Sequence, residues 1–242
     1  MGNLWAWLGG GVALYFLLDN DGAKPSTTKR KVDIQKSIDR TFGHEGLWEP
    51  ETAQGQKADT GNYYKGVYYG TQRGVTARFL VDNYAILQIP LRDKDTVRNL
   101  TVDQCADIFL RTEGARMRYE DMTNQAVADF LFDWMVHRPG NTEKSGGCVY
   151  FMEAKIFGMP KGTALESGGV YSDDLVKRIN GTDPAGFYNA LKYWRLWHLT
   201  NTDTYKSFLK GIYNRITKFN DFSPTGNVVE MMKAARLRAF GY

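Results

Sequence analysis

Apolar positions at helical spacing open the ordered part of this chain. Ile34, Ile38 and Phe42 recur every four residues and predict a first helix from about Val32 to Gly43. Glu45 follows Ile34 by eleven residues. At roughly 100° per residue its direction lies within about 20° of Ile34, so its carboxylate falls on the core-facing side. Residues 46–61 are polar and irregular. Two short aromatic or β-branched runs then flank Lys65-Gly66 between Asn62 and Gly70, the pattern of a small hairpin with a positive φ at Gly66.

Helical patterns dominate the rest. Thr76 to about Leu87 reads as one helix stopping before Pro90, and Thr101-Val102-Asp103-Gln104 forms a capping box for a helix reaching about Glu113. Gln125 to Val136 is apolar on most sides, which predicts the central buried helix, with Pro139-Gly140 at its end. Further helices are expected near Cys148–Phe157, Ser172–Ile179, Pro184–Thr200, Thr204–Phe219 and Val228–Phe240. No internal repeat is visible. The expected class is mainly α: a helical domain with one small hairpin beside the first helix.

Leu4 to Leu18 is an uncharged apolar run, followed by a polar and basic stretch. It is short of the roughly 20 residues that span a bilayer comfortably, but thinning and snorkelling accommodate such lengths. No basic residue precedes it and no small-residue cleavage site follows, unlike a secretory signal. Trp5 and Trp7 suit interfacial anchors, while Gly9, Gly10 and Gly11 would weaken a soluble helix. The organisation expected is therefore a hydrophobic membrane-anchor helix at 1–18 and a flexible basic linker at 19–31. A first globular region at 32–145 and a C-terminal helical region at 146–242, packed on the first, complete it. The basic linker would hold the rest of the chain on the cytoplasmic side of a cell membrane.

Composition adds less. The chain has 242 residues, a net charge of +4 and 14% aromatic residues. Its basic residues cluster at Lys24, Lys29, Arg30 and Lys31 rather than along one element, so a nucleic-acid partner is not expected. Cys105 and Cys148 define no disulfide framework, and with three histidines at scattered positions nothing implies a metal or an organic cofactor.

Glu45 carries the candidate chemistry. A glutamate on an apolar helix face, in the last turn before Gly46, meets partial desolvation and the negative end of the helix dipole. Both keep a carboxyl protonated near neutral pH, as a general acid requires. Glycosidic cleavage needs such an acid together with a second group that activates water or stabilises positive charge at the anomeric carbon.

At these residues the chain resembles the muramidases of glycoside hydrolase family 108, which include phage endolysins and secretion-activator proteins. Four segments carry the resemblance: Glu45-Gly46-Leu47-Trp48 with Asp59-Thr60-Gly61; Gly70-Thr71-Gln72-Arg73-Gly74-Val75-Thr76; Leu131-Phe132-Asp133-Trp134-Met135-Val136; and Phe208 to Ile216. They span roughly residues 32–220. Leu47 replaces a family glycine, the Glu45–Thr71 interval carries a Tyr-rich insertion, and His137-Arg138-Pro139-Gly140 replaces a usual Asn-Ser-Gly.

The resemblance implies an α+β, lysozyme-like fold and an N-acetylmuramidase that hydrolyses the β-1,4 bond between N-acetylmuramic acid and N-acetylglucosamine. Glu45 matches the family's essential glutamate and would be the acid. Asp59 is the candidate second carboxylate, against the alternative of a turn residue before Gly61. Thr71 would hold a water or a substrate group, and Trp48, Tyr68 and Tyr69 would stack on sugar faces, with core packing the competing fate. Asp133 is read as a structural acceptor. The C-terminal region is read as peptidoglycan-binding-like. Peptidoglycan is the expected partner, with the membrane through the N-terminal helix and other virion proteins if the enzyme is a phage's. The expected setting is membrane-anchored, acting on the bacterial cell wall, with a virion membrane as the other arrangement. A lytic transglycosylase and a non-catalytic wall-binding or virion structural protein remain the alternatives.

Overall fold

The computed structural model describes residues 32–42, 62–137, 146–159, 169–203 and 209–241, together with the backbone of 48–49. Its elements in chain order are α1 (Ile34–Phe42), β1 (Trp48–Glu49), β2 (Tyr63–Tyr64), β3 (Val67–Tyr68), β4 (Thr71–Gln72), β5 (Val75–Thr76), α2 (Ala77–Asp82), α3 (Tyr84–Leu87), α4 (Asp95–Arg98) and α5 (Val102–Phe109). Next come α6 (Gln125–His137), α7 (Cys148–Tyr150), α8 (Asp173–Gly181), α9 (Pro184–Asn201), α10 (Leu209–Lys218) and α11 (Gly226–Phe240). The fold is mainly α, with two small antiparallel sheets, β2–β3 and β1–β4–β5. Among the described residues no helix is long and apolar enough to cross a membrane. The apolar run at 4–18 and the linker at 19–31 lie outside them.

The core is built on α6. Val127, Ala128, Phe130, Leu131, Phe132, Trp134 and Met135 are all buried, which is what a helix apolar on most sides requires. One hydrophobic cluster runs from Val32 to Ala235 and joins α1, α5, α6, α9 and α11. The Trp134 indole N–H inside it donates to the Gly146 carbonyl at 2.9 Å, so its one polar atom is satisfied. Cys105 and Cys148 are buried free thiols. Burial also holds the thiols in the neutral form, pushing Cys105 up to about 11.

α1 docks on α6 through its apolar stripe and one polar position within it. Ser37 is fully buried, and its Oγ lies 2.6 Å from Asp129 Oδ1 and 2.7 Å from the Tyr119 hydroxyl. Gln125 Nε2 donates to the same Asp129 oxygen at 2.6 Å. Ser37, Asp129 and Tyr119 thus satisfy one another, and the register of α1 on α6 is set by directional bonds as well as by packing.

Arg40 latches α1 to the C-terminal helices. It donates to Asp221 at 2.6 Å, and its guanidinium lies 4.5 Å above the Phe219 ring, while the Tyr188 hydroxyl donates to Asp221 at 2.9 Å. Burial raises the Asp221 pKa, but bonds from Arg40 and Tyr188 outweigh it, and the net shift is below the ordinary 3.8. A depressed acid contributes stability above its unfolded pKa and loses it as pH falls through the folded one. Asp221→Asn is therefore expected to lower the urea midpoint at neutral pH and to match the parent below about pH 3. An unchanged difference across that range would show that the Asp221 charge is not what holds the latch.

Features near the first helix depart from the sequence expectation. A single helix over Thr76–Leu87 is broken at Asn83, whose side-chain amide takes the Phe79 carbonyl at 2.9 Å and so competes with the helical ladder. Only β2–β3 was expected as a hairpin, and it is present with Lys65 at φ 48° and Gly66 at φ 83°, the paired positive φ of a type I′ turn. A second I′ turn at Arg73 (φ 45°) and Gly74 (φ 79°) closes β4–β5. This second hairpin is the one laid against α1.

Candidate active site

Four elements converge on the last described turn of α1. The Phe42 ring stacks on Phe109 with centroids 5.2 Å apart and faces the His137 ring of α6 at 6.5 Å. Gly74 presses on its other side: a Cβ at that position would lie 2.2 Å from Phe42 Cε1. One turn earlier, Asp39 receives Arg73 Nη1 at 2.9 Å. The β4–β5 turn is thus clasped to α1 by a backbone contact and by a salt bridge. Beyond His137, α10 contributes Arg215.

Asp133 organises that far side. It is fully buried, receives Arg195 Nη1 at 2.6 Å on one oxygen and Arg215 Nη1 at 3.3 Å on the other. The His137 Nδ1–H donates to the Asp133 carbonyl at 2.6 Å, and Arg215 also contacts His137 Nε2. Burial pushes the Arg215 pKa down to about 10, and the group stays charged at neutral pH.

Thr71 sits on β4, the central strand of the three-stranded sheet, opposite Glu49 on β1 and Thr76 on β5. Its hydroxyl donates to Asn62 Oδ1, and the Asn62 carbonyl accepts from Tyr69 N at 2.9 Å. A side-chain amide oxygen can only accept, so Thr71 must spend its proton there and keeps its lone pairs for a water or a sugar hydroxyl. Asn62 is 2% exposed and was not singled out by sequence reasoning. No short-range pattern marks a side chain whose task is to orient another nine residues away.

The aromatic candidates separate. Tyr69 packs against the hydrophobic core. Tyr68 is half-buried and pairs across the hairpin with Tyr63, ring centroids 4.8 Å apart, and Tyr63 is 46% exposed. The open aromatic surface of this hairpin is therefore Tyr63 with Tyr68. For Trp48 the backbone is described, opposite Gln72, and the side chain is not. Glu45 and Asp59 lie outside the described residues.

Glu113 is the described glutamate that electrostatics would nominate as an acid, since burial raises its pKa against the opposing effect of Arg116. It lies in a π-helical turn, Leu110–Gly114, whose Gly114 abuts Ile34, the opposite end of α1 from the convergence at Phe42. Among the described residues no group of three or more His, Cys, Asp or Glu side chains is placed to hold a metal ion.

No protein-family model matches the chain, and no curated protein matches it. Among solved structures it is similar to SagA of Brucella abortus, with 18% identity over 84% of this chain and 95% of that one, at a TM-score of 0.54. At that identity the likeness is one of fold, and it spans nearly the whole of the SagA chain.

Proposed function

We propose that this chain is a peptidoglycan-degrading N-acetylmuramidase that hydrolyses the β-1,4 bond between N-acetylmuramic acid and N-acetylglucosamine, with Glu45 as general acid. The observation that carries the reading is the pairing of β1 with β4, Glu49 opposite Thr71. It brings the segment that follows Glu45 beside the Gly70–Thr76 segment, and these are two of the pieces on which the resemblance to glycoside hydrolase family 108 rests. The fold shared with SagA supports the same reading, since its name is like that of the secretion-activator proteins of the resembled family.

In this scheme Glu45 protonates the leaving glycosidic oxygen. Thr71, its proton committed to Asn62, accepts from the attacking water, and Asp59 is the second carboxylate. The Tyr63–Tyr68 pair offers a face on which a sugar ring can stack. The apolar run at 4–18 would anchor the enzyme to a membrane, in a phage lytic setting. A lytic transglycosylase would use the same acid without water, and 1,6-anhydro ends in digested peptidoglycan would identify it.

The direct test is zymography of the full chain beside Glu45→Gln. The parent is expected to clear cell wall, and the variant to lose about 10²–10⁴-fold of that rate at unchanged circular dichroism. A parent that clears nothing, or a variant that clears equally well, overturns the assignment.

A further inference from the structure

A cavity of about 250 Å³ opens between the last turn of α1 and α10, lined by Arg40 and Thr41 on one side and by Asn214, Arg215, Lys218 and Phe219 on the other. None of its described lining residues is acidic, while three are cationic. Arg40 and Arg215 already answer carboxylates of the protein, so Lys218, beside the electronegative end of α10 that is worth about half a charge, is the cation left for a ligand. Arg40 and Arg215 are held in place by Asp129, Asp221 and Asp133, so the walls are rigid before anything binds. Lys218 and Asn214 are exposed, with side chains able to reach a ligand.

A second observation points the same way. Thr41 is 2% exposed, and its Oγ1 has no hydrogen-bond partner among the described residues. An orphaned buried hydroxyl costs stability. Thr41 lines the cavity, where an acceptor would satisfy the hydroxyl. The space suits one amino-acid-sized group. It lies against the last described turn of α1.

We propose that this cavity is a carboxylate subsite that takes the acidic stem peptide carried by muramic acid. The proposal rests on the muramidase reading for the identity of its ligand, while the anion site itself stands on the cavity. Lys218 and Asn214 receive the carboxylate, Arg40 and Arg215 form walls fixed by their own carboxylate partners, and Thr41 donates its hydroxyl once a ligand is present. The enzyme would then read the peptide as well as the sugar, preferring substituted over bare glycan.

The test uses the full chain and three soluble probes: the tripeptide L-Ala-γ-D-Glu-L-Lys, the same peptide with its carboxylates amidated, and N-acetylmuramic acid. Calorimetry is expected to show the free-acid tripeptide binding about tenfold or more tighter than either of the others, the loss that goes with a charged hydrogen bond. Lys218→Ala should weaken the tripeptide several-fold and raise KM on intact peptidoglycan more than on peptide-stripped glycan. Thr41→Val should weaken it too while the thermal midpoint holds or rises, whereas a purely structural Thr41 would lower the midpoint. Equal binding of the acid and amidated peptides, or binding unchanged in both variants, overturns the subsite. N-acetylmuramic acid binding as tightly as the tripeptide overturns the peptide assignment in favour of the lactyl carboxylate. If the tripeptide discrimination holds but the parent clears no cell wall, the muramidase reading falls and the anion site stands. Clearance without discrimination gives the reverse.

Discussion

Asp133→Asn is expected to destabilise the protein by about 3–5 kcal/mol, the cost typical of removing one partner from a buried ion pair. Asp133 has no exposed surface, and Arg195 is 1% exposed, so neither water nor salt screens the pair. Neutralising the carboxylate leaves Arg195 buried with its Nε already lacking a partner among the described residues. It also removes the bond that aims Arg215 at His137. The loss therefore comes from stranded cations more than from a missing attraction. Asp133→Leu combined with Arg195→Met is expected to recover much of it, because a packed apolar pair of similar volume carries no desolvation penalty. Urea unfolding of the three variants checks both statements. A cost under about 1 kcal/mol for Asp133→Asn would show that solvent or another group answers the two arginines. Activity should fall further than stability alone predicts, since His137 faces Phe42 at the end of α1.

What could be read in the chain was local. The α5 capping box is present in both directions, Gln104 N to Thr101 at 3.2 Å and Thr101 N to Gln104 at 2.8 Å, because its signal fits within four residues. α6 was legible as the central helix because apolar residues recur on most of its sides within one short stretch. The β2–β3 hairpin was legible through Lys65-Gly66 and its flanking aromatics. The three-stranded sheet was not. Its strands are two residues each, too short to display an alternation, and β1 pairs with residues more than twenty positions away. The π-helical turns at Leu110–Gly114 and Phe151–Ile156 escaped for a related reason, since the 3.6-residue pattern that marks a helix does not mark a local widening.

The candidate site divides along the same line. Glu45, Thr71 and the tyrosines stood out through their immediate neighbours. Arg195 and Arg215 did not, because their partner Asp133 lies 62 and 82 residues away. Arginine is rarely buried unless paired, and only the fold reveals the pairing. Lys192 is a parallel case: it is 2% exposed and donates to the Phe219 carbonyl at 2.6 Å, with its pKa lowered by burial. Tyr68 and Tyr69, adjacent in sequence, part company because Tyr68 pairs across the hairpin with Tyr63 while Tyr69, just past β3, packs on the core.

Gly74→Ala is expected to cost about 2–4 kcal/mol, from two sources that can be separated. The first is backbone conformation: at φ 79° an L side chain pays about 1 kcal/mol. The second is space. The added methyl would lie 2.2 and 2.3 Å from Phe42 Cε1 and Cζ, and the ring cannot swing away because Phe109 stacks on it and His137 stands beyond. Overpacking of that kind costs about 1–3 kcal/mol. By contrast, Arg73→Ala removes a salt bridge to an Asp39 side chain that is 57% exposed, worth at most about 1 kcal/mol. The close backbone approach, not the charge pair, is what holds the β4–β5 turn on α1. In the Phe42→Ala background the clash disappears, and Gly74→Ala should then cost only the conformational part, leaving a coupling of about 1–3 kcal/mol in the double-mutant cycle. A Gly74→Ala variant within about 0.5 kcal/mol of the parent would mean that the hairpin stands off from α1. Because that contact sets the distance between the segment leading to Glu45 and the strand bearing Thr71, wall clearance should fall in Gly74→Ala at temperatures where the variant is still folded, and Arg73→Ala should leave it nearly intact.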